Sequence, residues 1–385
     1  MNLAPGIVNF SEQLTLIRKD IHANPEIGFE EIRTSQLVAE HLEAWGVEVH
    51  RGIGGTGVVG VIRGEAPGRR IGLRADMDAL PMAEATGVAH ASKNQGVFHG
   101  CGHDGHTTML LGAARHLASA RDFAGEIKLI FQPAEEGLGG ARRMIEDGLF
   151  DRFPCDEIYG LHNWPGAPLG RISLTRGVAM AAADTFDIHI SGRGAHGAQP
   201  HNAIDPVMVA TAIAQALQTI VSRNVDPVKA AIVSITQIHA GSAYNVIPET
   251  AHLGGTIRTF EPAVRDLIAQ RIKTLARNIA EGFGAEVEVN IESRFSALRN
   301  DDRLAEAAMQ IAAGIVGEGL AEYDLHPQTG SEDFADMLAI VPGAYLLLGQ
   351  GEGPALHNPR YDFNDAAIPI GATLLARLAE ARARS

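Results

Sequence analysis

"TFDIHISG", residues 185–192, is where the rhythm of this chain changes, and its reading decides the fold. It reads as a strand. The following "DPVMVATAIAQALQTIV" (205–221) reads as a long helix capped by Asp205, with Pro206 at its first position. "KAAIVSITQIHA" (229–240) and "HLGGTIRTF" (252–260) are two further strands, "PAVRDLIAQRIKTLARNIAEGF" (262–283) a second helix and "EVEVNIES" (286–293) a closing strand. The order β-α-β-β-α-β is the split pattern of a ferredoxin-like sandwich. Residues 184–293 are therefore expected to form an α+β domain inserted into another.

The flanks, 1–183 and 294–385, carry a different pattern. Apolar residues recur at helical spacing around Leu14, Ile17 and Ile21, and again around Leu37, Val38, Leu42 and Trp45, which predicts two amphipathic helices. "GVVGVIR" (57–63), "IGLRADMD" (71–78), "IKLIFQ" (127–132), "IYGLH" (158–162) and "AYLLLG" (344–349) read as strands. Helices are expected at about 107–119, 140–147, 303–314 and from about 366 onward. Strands alternating with helices predict an α/β layer around a parallel or mixed sheet. At 385 residues, two domains are the expected number.

Composition narrows the function classes. With 46 acidic against 32 basic residues the formal charge is −14, which repels phosphate backbones and anionic lipid surfaces. Nucleic acid and membrane are not expected partners. The opening "MNLAPGIVNFSEQL" has neither a basic nor an apolar leader region, and no apolar run approaches the ~20 residues of a membrane span. A cytoplasmic protein is expected. Cys101 and Cys155 are expected to be free thiols or ligands rather than a disulfide.

One of those two cysteines sits in "HGCGHDGH" (99–106), beside three histidines, an aspartate and three glycines. Glycines at 100, 102 and 105 permit tight turns and close approach, so the side chains between them can face inward together. A Cys101 thiolate and a His103 imidazole suit zinc and neighbouring transition metals. Two ligands are half a site. In α/β sheets the remainder should lie at the carboxyl ends of other strands. Those ends carry Asp76 and Asp78, Glu135 and Glu136 in "IFQPAEEG", His162 in "YGLHNWP" and, late in the chain, His357 in "GPALHNPRYDFND". Adjacent glutamates can divide labour, one on metal and its neighbour as general base. Each element alone also reads as a solvated or hydrogen-bonded loop residue; their coincidence favours a site. His22, His41, His50, His90, His116, His189, His239, His252 and His326 fall on helix or strand patterns without evident partners and read as structural or surface residues.

Taken in order, "RADMDALP", "GCGHDGHTTMLLGAA", "FQPAEEG", "GLHNWP", "GRGAHGAQPH", "NVIP", "GTIRTF", "GSEDF" and "LHNPRYDFND" resemble the M20 metallopeptidase family, in its amidohydrolase branch of hippurate hydrolases, N-acyl-amino-acid amidohydrolases and auxin-conjugate hydrolases. The motifs run from about residue 74 to 365. The resemblance implies a zinc-peptidase-like α/β catalytic domain with an inserted ferredoxin-like lid or dimerisation domain. It also implies two divalent metal ions held by Cys101, His103, Glu136, His162 and His357, with Glu135 as general base and Asp78 orienting a ligand imidazole. Other members of the wider family carry His-x-Asp where this chain has Asp76-Met77-Asp78, so one of their histidine ligands is absent here. The thiolate favours zinc, the remaining donors accommodate manganese or cobalt, and nickel is also conceivable.

The resemblance further implies that His196 is the lid histidine that reaches the active site of a partner subunit, and hence a homodimer or higher homo-oligomer. Arg258 is a candidate clamp for a substrate carboxylate and Asn245 a candidate donor, the alternatives being a surface ion pair and a turn residue. Backbone groups of Gly330 and Ser331 are further contacts the resemblance suggests. The expected reaction is hydrolysis of a small-molecule N-acyl amino acid. A dipeptidase or aminopeptidase of the same wider family, a non-catalytic metal-stabilised binding protein and a redox thiol protein are the competing readings. The last lacks a C-x-x-C.

Overall fold

The computed structural model describes residues 1–323 and 326–384. The chain divides into an outer unit, Met1–Ala179 with Arg299–His326 and Asp333–Ser385, and an inserted unit, Met180–Leu298 with Pro327–Glu332. The expected boundaries at 183/184 and 293/294 thus move outward by four or five residues. The segment 327–332 belongs to the inserted unit because the Ala181 N–H donates to the carbonyls of Gln328 and Gly330, at 3.1 and 3.0 Å. Gly330 and Ser331, expected in the outer domain, therefore lie with the inserted one.

In chain order the principal elements begin with α1 (Ser11–Ala23), α2 (Ile32–Ala44), β1 (Glu48–Ile53), β2 (Gly57–Arg63), β3 (Ala66–Asp76), α3 (His103–Ala120), β4 (Ala124–Gln132), β5 (Glu157–Trp164) and β6 (Ile172–Leu174). There follow β7 (Ala182–Ser191), α4 (Pro206–Arg223), β8 (Ala231–Ala240), β9 (Thr250–Thr259), α5 (Pro262–Phe283) and β10 (Glu286–Phe295) of the inserted unit. The chain closes with α6 (Asp302–Val316), β11 (Ala321–Tyr323), β12 (Gly343–Gly349) and α7 (Ile368–Ala383). Among the described residues no helix is long and apolar enough to cross a membrane.

The outer unit is built on a mixed eight-stranded sheet in the order β1-β2-β4-β3-β5-β12-β6-β11. Leu14, Ile17 and Ile21 of α1 and Val38 and Leu42 of α2 are buried in its core, as their spacing predicts. β3 runs parallel to β4 and β5, and β12 parallel to β5, so four carboxyl ends open on one edge of the sheet. β3 starts earlier than predicted and stops at Asp76, which leaves Met77 and Asp78 beyond its end.

α3 begins at His103, four residues before its predicted start. Gly102, in the left-handed region at φ +91°, turns the loop directly into the helix. A Cβ there would lie 2.5 Å from Asn163 Oδ1 and 2.6 Å from the Tyr361 hydroxyl. Gly105 lies inside the first turn of α3, where its lack of a side chain admits the Phe363 ring. Gly102 therefore serves the turn and Gly105 a close packing contact. His103 becomes a helical residue with a fixed direction.

The inserted unit is a four-stranded antiparallel sheet in the order β8-β9-β7-β10, with α4 and α5 on one face. That is the ferredoxin-like order. Phe186, Ile188 and Ile190 of β7 pack with Ile213 and Leu217 of α4 and with Ile268 and Ile272 of α5. The Asp205 carboxylate caps α4, accepting from the Val207 N–H at 2.9 Å.

Candidate metal centre and substrate-binding groups

The four parallel strand ends and the start of α3 deliver the predicted donors to one place. Cys101 Sγ lies 3.5 Å from His162 Nε2. Cys101, His103 and His162 offer ligand atoms that all lie within 4.8 Å of one another, as do Cys101, Glu136 and His357. The thiol belongs to both triads. A third group, His103, Glu135 and Glu136, brings the second glutamate to the same cluster.

Hydrogen bonds fix which atoms face the cluster. His103 Nδ1 is 3.1 Å from Asp78 Oδ1, and the Glu136 N–H donates to Asp78 Oδ2 at 2.9 Å. His162 Nδ1 is 2.7 Å from the Asn163 carbonyl. Both rings therefore direct Nδ1–H to these acceptors and turn Nε2 toward the cluster, the usual arrangement around a metal. His103 Nε2 is buried without a hydrogen-bond partner, and buried Glu136 Oε1 has only the loose approach of His357 Nε2 at 3.4 Å. Buried polar atoms seldom stay unsatisfied, so these two are the orphans a cation would complete. The set of one thiolate, imidazoles and carboxylate fits divalent zinc or its neighbours.

Two non-glycine residues at the cluster hold left-handed backbone: Ala134 at φ +55° and His357 at φ +61°. Such strain gathers at functional sites and needs support from around it. At His357 the support is its N–H donating to the Gly100 carbonyl at 2.8 Å. At Ala134 it is Glu31, whose Oε1 accepts from the Ala134 N–H at 2.8 Å while Oε2 accepts from Thr56 Oγ1 at 2.5 Å. Glu31 is wholly buried. It fixes the turn that aims Glu135 and Glu136.

The electrostatics are those of a cation site. Hydrogen bonding to Cys101 and Glu136 raises His357 to about 10. Burial works against a charge on His103, yet the field of Asp76 and Cys101 outweighs it and raises that imidazole well above its ordinary value. Burial, helped by Glu136, pushes the Cys101 thiol up. His162 is held neutral by burial and by His106. Protons sit where a metal would.

Asp76, in the place of the absent histidine, borders the cluster, its Oδ2 3.9 Å from His103 Nε2, and with His103 and His106 it forms a further buried triad whose ligand atoms lie within 4.8 Å of one another. Oδ1 lies 2.6 Å from His106 Nδ1 and Oδ2 accepts from Arg74 at 2.8 Å. Arg74 also donates to Gln132 and Asp333, and Asp333 accepts from the Ala141 N–H. Sequence reading missed this buried network, although an arginine inside the apolar strand "IGLRAD" was its signal, because a buried charge requires partners. Glu31 had no local signal. His22, read as structural or surface, is fully buried between Asp104 at 2.8 Å and Glu84 at 3.4 Å. Both cysteines are free.

The inserted unit carries the other predicted residues. His196 pairs in register with Val246, and the Gly197 N–H donates to the Asn245 carbonyl at 2.7 Å, which brings His196 and Asn245 together. The Ala198 N–H donates to His196 Nδ1 at 3.1 Å, so this exposed ring keeps its proton on Nε2. Arg258 is half-buried and donates to Thr256 Oγ1 and the Ile257 carbonyl. It makes no ion pair among the described residues: Asp184 is taken by Arg265, whose Nε donates to it at 2.8 Å. The surface-ion-pair reading of Arg258 is not met. Ser331 Oγ is buried without a hydrogen-bond partner, and the Gly330 carbonyl is occupied by Ala181.

Comparison with known proteins places this arrangement. The model of peptidase family M20/M25/M40 matches residues 72–381. A hippurate hydrolase from Campylobacter jejuni is 43% identical over 98% of this chain and 99% of its own length. An N-acetyl-L-cysteine deacetylase from Bacillus subtilis is 40% identical over 94% of this chain and 86% of its own. Among solved structures, a Bacillus subtilis protein described as a dinuclear metal binding peptidase from the M20 family superposes with a TM-score of 0.85 and 33% identity, covering 98% of this chain and 99% of that one.

Proposed function

The chain belongs to peptidase family M20/M25/M40, in its amidohydrolase branch, and is a hydrolase of amides; from that premise we propose that it cleaves N-acyl amino acids to a carboxylate and a free amino acid. The observation that carries this reading is the convergence of Cys101, His103, Glu136, His162 and His357, with His103 Nε2 aimed into the cluster. Those five side chains would hold two divalent ions, zinc or manganese in the first instance. Bound ions supply Lewis acidity, polarising an amide carbonyl and acidifying a water.

The chain's own groups do the rest. Glu135 takes the proton of the attacking water and returns it to the departing amine. His196, with its proton on Nε2, donates to the oxygen on which charge develops. Because that role belongs to a lid residue, the reading includes a homodimer in which His196 serves the partner subunit. Arg258 holds the substrate carboxylate, aided by Asn245 and by the backbone at Gly330 and Ser331. Among the described residues Arg258 has no ion-pair partner, which supports its part, since a half-buried guanidinium without a carboxylate is an incomplete pair. The reading is of a cytoplasmic enzyme acting on small molecules.

The test is a panel of hippurate, N-acetyl amino acids and unblocked dipeptides, assayed with added zinc, manganese or cobalt. Turnover of the acylated compounds and not of the dipeptides is expected. Preference for dipeptides would instead favour the peptidase reading. Glu135→Gln should lower turnover by about 10²–10⁴-fold with metal content unchanged; an active Glu135→Gln enzyme would remove the general base from the scheme.

A further inference from the structure

The inserted unit carries a row of three histidines that the hydrolase reading leaves unused. In the register of the sheet, His239 of β8 stands opposite His252 of β9, and His252 opposite His189 of β7. All three project from the face opposite Phe186, Ile188 and Ile190. The His189 and His252 ring centroids are 4.8 Å apart, and those of His252 and His239 5.9 Å. His189 and His239 are exposed.

The central ring is held in place. His252 Nε2 lies 2.7 Å from Asp187 Oδ1, which puts the proton on Nε2 and leaves Nδ1 as a lone pair. A carboxylate behind an imidazole is the arrangement that orients a metal-binding histidine and strengthens it as a donor. Gly254, opposite Asp187 in the register, makes room for the contact: a Cβ there would lie 3.3 Å from His252 Cε1 and 3.5 Å from Asp187 Oδ1. Strand geometry supplies the spacing. In an antiparallel sheet the N–H and C=O of a residue point to the same side, so one of the two pairings of His252 is the closer, non-hydrogen-bonded kind. Side chains of such neighbours stand about 5 Å apart, within chelating reach once the exposed rings turn about χ2.

We propose that His252, with His189 and His239 on either side and Asp187 behind it, forms a surface site for a first-row transition-metal dication, separate from the cluster in the outer unit. Imidazole donors without thiolate suit Zn²⁺, Ni²⁺ or Cu²⁺. A bound ion would tie three of the four strands together.

The experiment uses the holoenzyme with its hydrolytic metals loaded and excess metal removed, followed by equilibrium dialysis against micromolar Zn²⁺. The wild type is expected to take up one further equivalent, and H189A/H252A none, with hydrolysis rates equal. Asp187→Asn should weaken the extra equivalent by about tenfold. His189→Gln, at an exposed position that cannot disturb the core, should weaken it by at least about tenfold on its own. Bound Cu²⁺ should show hyperfine coupling to more than one imidazole nitrogen in the wild type, and lose it in the double variant. Equal stoichiometry in the wild type and both histidine variants, or a copper signal unaltered by them, overturns the proposal.

Discussion

His103 Nδ1 meets Asp78 Oδ1 at 3.1 Å, and that single contact decides which nitrogen of the ring faces the cluster. The other oxygen of Asp78 holds the Glu136 N–H, so one carboxylate orients two donors. Asp78→Ala should therefore lower metal affinity by about 10–100-fold while leaving all five donor side chains in the chain. Chelator competition measures this, and an unchanged affinity would refute the orienting role.

Metal uptake should release protons. In the metal-free protein His103 and His357 hold imidazole protons and Cys101 its thiol proton, because each pKa is raised. Whatever protons they hold must leave for a cation to bind, so metal uptake near pH 7 is expected to release protons. Calorimetry in buffers of different ionisation enthalpy counts them. The sign follows: affinity falls as pH is lowered, and a pH-independent affinity would contradict the assignment.

Glu31 acts through Ala134. Glu31→Ala leaves the Ala134 N–H without its buried acceptor, at a cost of about 1–3 kcal/mol in stability. The turn aiming Glu135 is then loosened, so kcat should fall with little change in KM, and Glu31→Gln, which keeps an acceptor oxygen, should recover most of the loss. A kcat insensitive to Glu31→Ala would show the turn to be held by other means.

Arg258→Ala should raise KM for N-acyl amino acids by about 10–100-fold, the worth of a charged hydrogen-bonded pair, with kcat less affected. The corresponding amino-acid amides, which lack the carboxylate, should be insensitive to the substitution. Equal effects on both series would assign Arg258 a structural role.

His22 sets an alkaline limit on stability. Burial alone would lower its pKa, but hydrogen bonds to Asp104 and Glu84 outweigh that and raise it to about 9. The folded value lies above the unfolded one, so the stabilisation is complete below about pH 6.5 and is lost as pH rises through about 9. On the order of 3 kcal/mol is at stake, counted once for the coupled pair. Denaturant midpoints between pH 6 and 10 should fall accordingly, and His22→Gln should flatten the profile.

Much of the site was legible because its chemistry is local. Cys101 and His103 stand two residues apart, Glu135, Glu136 and Asp78 follow a strand and His162 lies near the carboxyl end of another, so the rule that sites gather at carboxyl strand ends was enough to group them. Glu31 and the Asp76–His106 contact were not legible, since their partners lie 103 and 30 residues away. The start of α3 was misplaced because glycine and histidine are weak helix formers, and only the close approaches at Gly102 and Gly105 explain their presence.

The sequence by itself determined the two kinds of layer, through periods of two and of 3.6 residues, and the inventory of donors. Only the tertiary structure decided which nitrogen of each imidazole faces the cluster, that Asp76 is held between Arg74 and His106, and that Arg258 has no counter-ion among the described residues. Periodicity is a property of neighbours along the chain. The direction of a lone pair, and the partner of a buried charge, are set by atoms that only folding brings within hydrogen-bond reach.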